Sequence, residues 1–379
     1  MGGCLVVSEL KGVIALVVVA LIATSCAEDA GDTTAAGSAS GGECAEIQEL
    51  IDATAAMLPS ERETFLLKKA IEDGDNVSLY TELNVRDVDE IIDIFEETYN
   101  VDVDLFRAGS EDVRLRVLEE AAAGFRGFDL IEIEALDMTI IDQKGILAPA
   151  SSPYREGIIE AGLFDNFTAD RVTYLVPVWN TGIFSAAEAP QSFEDFADPR
   201  FSGELALEDS DVYWFAVMVQ HFVEEGMTEE EAVDLFKTIA ANSSITSGHT
   251  ATLELLIAGQ FGITPNGYSH RVEEFKIENA PIEWLPVKVP VVAEITAVAV
   301  ACSAKNAAGG MLLEDFFLNP DTTQAYFVSV NRTPANAAQQ AEAFGPGGAD
   351  IVPLRGDVSA IVEDFQKWDD LWDEVVRSG

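Results

Sequence analysis

Between Val77 and Gly145 the chain alternates short runs of strand-forming residues with longer stretches whose apolar positions recur at helical spacing. This alternation restricts the fold more than any other feature. Val77 to Thr81 predicts a strand, and Val88, Ile91, Ile92, Phe95 and Tyr99 fall on one face of a helix behind it. Val101, Val103 and Leu105 alternate with acids as a second strand. Ser110 is positioned to cap a helix running to Gly124, with Glu111 and Asp112 in its first turn, where negative charge meets unpaired N–H groups. Phe128 to Ile133 predicts a third strand, and Met138, Ile141 and a stop at Gly145 outline the next helix. Strands separated by helices imply a largely parallel sheet.

Val172 to Trp179 is a continuous run ending in Asn180-Thr181-Gly182, and the alternation restarts beyond it, which predicts a crossover between two lobes. Leu205 to Glu208 and Phe261 to Pro265 read as strands, and Val212 to Phe222 and Thr250 to Gly259 as helices. Thr228 with Glu231 makes a capping box opening a helix to Ala240. Val289 to Val300 predicts a strand returning to the first lobe, so that lobe is discontinuous in sequence. Asn306 to Phe317 and Asp321 to Val328 add helices, Phe344 to Asp350 is a Gly/Pro loop, and Val358 to Arg377 predicts one closing amphipathic helix with Trp368 and Trp372.

Ahead of this body, Lys11 is followed by an apolar run from Val13 to Ile22 and then by Ala23-Thr24-Ser25-Cys26. The run is about 10 residues, against the roughly 20 a membrane-spanning helix takes, and reads as an export signal. Its end resembles a bacterial lipobox, whose cysteine accepts diacylglycerol and becomes the first mature residue, although Ala23 stands where leucine is commoner. The competing reading is an ordinary secretory signal with an incidental Cys26. Residues 1–25 are thus expected to be a lipoprotein signal peptide and 26–45 a flexible tether, because Glu28 to Gly42 is too small and polar to offset ordering entropy.

The formal net charge is −45, from 67 acids against 22 lysines and arginines. Polyanions are repelled by such a surface, which argues against nucleic acid as a partner and against basic-patch adhesion to lipid headgroups. Cys4 leaves with the signal and Cys26 is assigned to lipid, leaving Cys44 and Cys302. An exported protein permits a disulfide between them, and two free thiols fit the sequence equally well.

The motif order from residue 62 to 345 resembles the extracellular solute-binding proteins of bacterial ABC importers, in the branch that includes ferric-iron-binding proteins. The matching segments include RETFLLKKAIEDGDNVSLYTEL, FRAGSEDVRLRVLEEAAAGFRGFDLIEIE, VPVWNTGIFS, FEDFADPRFSGELAL, ELLIAGQFGITPNGYSHRVEEF and MLLEDFFLNPDTTQAYFVSVNRTPAN. The resemblance implies an α/β, two-lobed periplasmic-binding-protein fold of type II, each lobe a mostly parallel sheet flanked by helices and joined by hinge strands. Lobe 1 would span 46–176 with 291–330 returning to it, lobe 2 would span 177–290, and 331–379 would pack across both. Further implications are a small solute in the interlobe cleft and a membrane permease as partner; no cofactor and a monomer are expected, and the Cys26 lipobox adds an exported, lipid-anchored location.

Ligands of open α/β sheets sit beyond the carboxyl ends of strands, where helix N-termini offer donors. Those positions, the stretch Glu132 to Glu134 among them, supply Thr81, Glu82, Ser110, Glu132, Asp209, Tyr213, His249, Thr250 and Tyr268, with Trp179 and Asn180 beside the crossover. Arg107, Arg271 and Arg332 stand out where cations are scarce, and Arg332 follows the helix that would return toward the cleft. Trp214 reads as core. Iron-binding relatives carry two adjacent tyrosines where this chain has Gly267-Tyr268. Ferric iron would therefore fall to Tyr268, His249 and Glu82, and the missing tyrosine points instead to a small organic or phosphorylated ligand. An exported enzyme is the contrasting class. The chain has no G-x-S-x-G, H-E-x-x-H or P-loop pattern, and its three histidines are scattered, so no catalytic activity is expected.

Overall fold

A computed structural model of the chain describes residues 44–343, 351–377 and 379. The signal segment, Cys26, most of the tether and the loop at 344–350 lie outside the described residues. Two helices, α1 (Ala45–Thr54) and α2 (Pro59–Glu72), precede the alternating region, which then runs β1 (Asn76–Thr81), α3 (Val85–Tyr99), β2 (Asp102–Arg107), α4 (Ser110–Ala122), β3 (Leu130–Glu134) and α5 (Ala135–Asp142). Asn84 starts α3 by accepting the Asp87 N–H at 2.9 Å, and Asn100 ends it in the left-handed region at φ 52°. The long strand β4 (Thr168–Asn180) is buried along its whole length.

Beyond it come β5 (Leu205–Glu208), α6 (Val212–Glu224), α7 (Glu229–Asn242), β6 (Ser243–Thr246), α8 (His249–Ile257), β7 (Ile263–Tyr268), α9 (Ser269–Ile277) and β8 (Ile282–Glu283). The Thr228–Glu231 capping box opens α7 as its sequence requires. The strand β9 (Val292–Val300) then returns, followed by α10 (Ala307–Leu318), α11 (Thr323–Ser329), β10 (Thr333–Pro334) and α12 (Ala337–Ala343).

All ten strands form one sheet in the order β2-β1-β3-β9-β4-β7-β5-β6, with β8 and β10 added to β4. At one end β2, β1 and β3 are parallel, and at the other β6, β5 and β7 are parallel. The antiparallel pair β4 and β9 joins the two arrays, with Leu175 opposite Val292 and Thr168 opposite Val298. A bulge in β4 leaves Asp170 without a partner on β9, so that Asp170 and Arg171 are both buried.

The expected single closing helix is two. Asp364, at φ −107° and ψ 21°, leaves helical geometry and separates α13 (Val358–Glu363) from α14 (Phe365–Val376). The break lets α13 pack on α5 while α14 packs on α6 and α7. Trp368 and Trp372 of α14 join Trp214, Phe215 and Phe236 in the core of the second array. Ser110 also differs from expectation. Gly109 is the N-cap of α4, and the Ser110 hydroxyl instead accepts the Glu134 N–H at 3.3 Å.

Cys44 and Cys302 are joined in a disulfide, which ties the start of α1 to the end of β9 across 258 residues of chain. Closing so long a loop restricts the unfolded ensemble, so Cys302→Ser is expected to lower the unfolding free energy by about 2–4 kcal/mol. Urea denaturation with and without reductant reads this effect, and an unchanged midpoint would show that the bond adds no stability.

Candidate functional site

A cleft opens at the carboxyl ends of both parallel arrays. From the first array come Glu82 and Asn84 after β1, Arg107 and Ser110 at the end of β2, and Glu134 at the end of β3. From the second come Glu208 and Ser210 at β5, His249 at the start of α8, and Tyr268 at the end of β7. Arg171 and Thr173 of β4 and Glu294 and Thr296 of β9 line it between them. The space divides into two adjoining cavities of about 490 and 500 Å³ that share Ser110, Glu134, Glu208 and Glu294. Volumes of this size suit a small molecule.

Arg171 is the electrostatic hub. Its guanidinium pairs with Glu132, with Glu82 and with Asp170, all buried or nearly so, and Thr81 donates its hydroxyl to Glu132. Burial opposes the charge on Arg171, yet the Glu132, Asp170 and Glu82 carboxylates outweigh it and hold the guanidinium protonated. Asp87 draws in Arg332 at 2.6 Å and Tyr326 at 3.1 Å. At the mouth, Arg86 of α3 reaches Glu274 of α9 at 2.9 Å, an ion pair that bridges the two arrays.

On the second array, His249 Nδ1 donates to the Asn266 carbonyl at 3.0 Å and Nε2 donates to Asp211 at 3.0 Å. Two donating nitrogens make the ring an imidazolium. Burial disfavours that charge, but Asp211 and Glu208 override it and push the pKa up to about 10. Tyr268 stacks on this cation with ring centres 3.7 Å apart. His270, buried near Arg332, Arg171 and Arg271, is driven neutral by desolvation and by those charges.

Glu134 and Glu294 are arranged differently. Neither carboxylate accepts a hydrogen bond from any described residue, and both face the shared part of the cleft. Burial raises the proton affinity of Glu134 well above the usual carboxylate range, and Glu294 is the foremost of the charges that raise it further. Burial, followed by Asp211, pushes Glu294 up to about 8.

Of the residues put forward from sequence, Glu82, Ser110, His249, Thr250, Tyr268 and Arg332 line the first cavity and Asp209 and Tyr213 the second. Tyr213 spends its hydroxyl on the C-terminal segment, accepting the Gly356 N–H at 3.0 Å. Four others lie away from the cleft lining. Thr81 and Glu132 are fully buried behind it, bonded to one another. Trp179 is buried in the core, and Asn180 binds the Leu256 carbonyl and the Gly182 N–H, because β4 has by then run past the cleft. Arg171, Glu208 and Glu294 are not among the candidates read from sequence, whereas Glu134 closes the strand-end stretch Glu132 to Glu134 that is. A charged residue inside an otherwise apolar strand, as in TADRVTYLV and VAEITAVAV, is the signal that marks Arg171 and Glu294.

The candidate iron ligands Tyr268, His249 and Glu82 do not form an open set. Both His249 nitrogens are engaged, and Glu82 is paired with Arg171. Among the described residues, Glu208, Asp211 and His249 do lie at metal-ligand spacing. Their atoms already bond one another and Ser210, Gly248 and Asn266.

Residues 130–352 match the family model described as bacterial extracellular solute-binding protein. The chain belongs to that family. Such proteins serve ABC importers, so this solute-binding protein captures a small molecule or a metal ion outside the cytoplasm and passes it to a membrane permease. No curated protein sequence matches it. Solved structures give the fold. Iron-bound HitA from Pseudomonas aeruginosa superposes with a TM-score of 0.64 at 15% identity, covering 79% of this chain and 99% of that one. The periplasmic binding protein AfuA from Actinobacillus pleuropneumoniae, with fructose-6-phosphate bound, gives 0.61 at 20% identity over 80% and 96%. MotA from A. tumefaciens B6, in complex with glucopine, gives 0.67 at 15% identity over 79% and 99%. The solute-binding protein therefore has the type II periplasmic-binding-protein fold expected from its motif order. Among the described residues no helix is long and apolar enough to cross a membrane.

Proposed function

We propose that this protein is a receptor that binds without chemical turnover, is held to the cell envelope by lipid at Cys26, and takes a small organic molecule bearing a cationic group. The observation that carries the ligand class is the pair Glu134 and Glu294, two acids in the shared part of the cleft that form no ion pair among the described residues, although the His249 charge is felt by Glu294 from farther off. Each arginine lining the cleft already has an acidic partner or backbone acceptors: Arg171 has three carboxylates, Arg332 has Asp87, Arg271 has Glu274, Arg114 has Asp137 and Glu111, and Arg107 binds the Leu83 and Glu82 carbonyls. An ammonium group placed between Glu134 and Glu294 would supply the missing charge and donors. The stacked Tyr268 adds an aromatic wall of the kind that organic ligands use.

Ligand binding to the folded state alone raises the melting temperature. A thermal-shift screen at pH 8 is expected to find stabilisation by organic amines and none by ferric citrate. Stabilisation by ferric citrate, with a tyrosinate charge-transfer band, would reject this ligand class and restore the iron reading. Labelling with a radiolabelled fatty acid, abolished by Cys26→Ala, together with globomycin-sensitive removal of residues 1–25, is expected for the lipid anchor.

A further inference from the structure

The cleft has a second set of unmet hydrogen-bonding groups, and they are donors rather than acceptors. Arg171 lines the first cavity at 2% exposure, and its Nε has no hydrogen-bond partner among the described residues. Arg332, at 6% exposure, uses Nε on Asp87 and makes no hydrogen bond with either terminal nitrogen among the described residues. Arg107 uses Nε and one terminal nitrogen on the carbonyls of Leu83 and Glu82, leaving the other unbonded. All three line the first cavity, and two of them reach the same residue, Arg171 through the Glu82 carboxylate and Arg107 through the Glu82 carbonyl. The second cavity holds none of these three; the arginine in its lining, Arg114, is ion-paired with Asp137 at 2.6 Å and with Glu111 at 3.2 Å, and Asp112, Asp209 and Asp369 line it as well. Donors without acceptors therefore gather at one end of the cleft. Acceptors without donors, on Glu134 and Glu294, occupy its middle.

We infer that the solute is dipolar, with a carboxylate, phosphate or phosphonate at the Arg107–Arg171–Arg332 end and an ammonium group at Glu134 and Glu294. An oxyanion has several acceptor oxygens and suits guanidinium forks, whereas an ammonium is a pure donor and suits carboxylates. Each end leaves the wrong group with buried, unsatisfied atoms, so the cleft would also fix the direction in which the molecule lies. The inference rests on the amine assignment made above and extends it to the other half of the molecule.

The test is a set of matched probes followed by calorimetry at pH 8 on the mature chain. The probes are 4-aminobutanoate and phosphorylethanolamine, which carry both charges, butylamine and 1,4-diaminobutane, which carry only positive charge, and butanoate and glycerol phosphate, which carry only negative charge. At least one two-charge probe is expected to bind ten times or more tightly than every single-charge probe. Arg107→Gln should weaken it at least tenfold without weakening the binding of 1,4-diaminobutane, which loses a repelling charge. Glu294→Gln should weaken both. Amines binding as tightly as the two-charge probes would overturn the dipolar inference and leave the amine assignment standing. Anions binding alone, or no binding by any probe, would overturn both. Arg107 is exposed at the cleft edge, so its substitution leaves the fold intact, and a circular dichroism melt of the variant checks this.

Discussion

Arg171→Met is expected to destabilise the protein by about 3–5 kcal/mol, the largest effect of any single substitution in the cleft. The guanidinium is the common partner of Glu132, Asp170 and Glu82, in a part of the sheet where Glu132 and Asp170 are fully buried. Taking it away leaves acids that must be protonated or hydrated in place, and the bulge at Asp170 offers no route for relaxation because the Asp170 carbonyl accepts bonds from Gln324 and Ala335. Asp170, which burial already pushes up to about 8, would hold its proton more firmly still. Urea unfolding at pH 8 and at pH 5 measures this. The loss should be smaller at pH 5, where Asp170 holds its proton. A loss below 1 kcal/mol at both values would show that Arg171 is not the hub described.

Affinity for an organic amine is expected to rise steeply with pH between 6 and 8, by on the order of tenfold per unit for each proton released. The sign follows from Glu294. In the empty protein its pKa lies near 8, above that of the unfolded chain. The proton it keeps stabilises the fold at low pH, and that contribution is lost as pH rises through about 8. A bound ammonium favours the ionised carboxylate, so binding below pH 8 expels a proton, and the cost of doing so vanishes as pH approaches 8. Glu134, raised by burial and by Glu294, adds to the slope in the same direction. Calorimetry in two buffers of different ionisation heat counts the protons directly. Glu294→Gln should flatten the profile, and an affinity that falls as pH rises would contradict the placement of the amine.

Much of the fold is legible in the sequence because its elements obey local rules. The spacing of Val88, Ile91, Ile92, Phe95 and Tyr99 gives α3, the Thr228–Glu231 pair gives the start of α7, and the apolar run before Asn180 gives β4. The strand β6 (Ser243–Thr246) is less visible because it is short, polar and only half buried. The division of the closing segment at Asp364 is hidden for another reason: it is set by tertiary packing against α5, α6 and α7, and the amphipathic period runs through it.

The cleft was legible in outline only. Residues at strand ends, such as Ser110, His249 and Tyr268, follow from the rule that ligands sit beyond carboxyl ends. Trp179 fails that rule's extension to the crossover, since β4 continues past the cleft into apolar packing. The same rule reaches Glu134 at the end of β3, but Arg171 and Glu294 lie inside strands and depend on which strand neighbours which. The pairing of β9 with both β3 and β4 brings them beside Glu134, and nothing local to either encodes that pairing.

The most direct measurement is native mass spectrometry of the protein purified from its own membranes, without unfolding, beside the Glu134→Gln/Glu294→Gln double variant. The expected result is a small organic molecule with an amine or other cationic group on the unmodified protein and none on the variant. Bound iron, or a retained molecule lacking any cationic group, would contradict the assignment of the cleft.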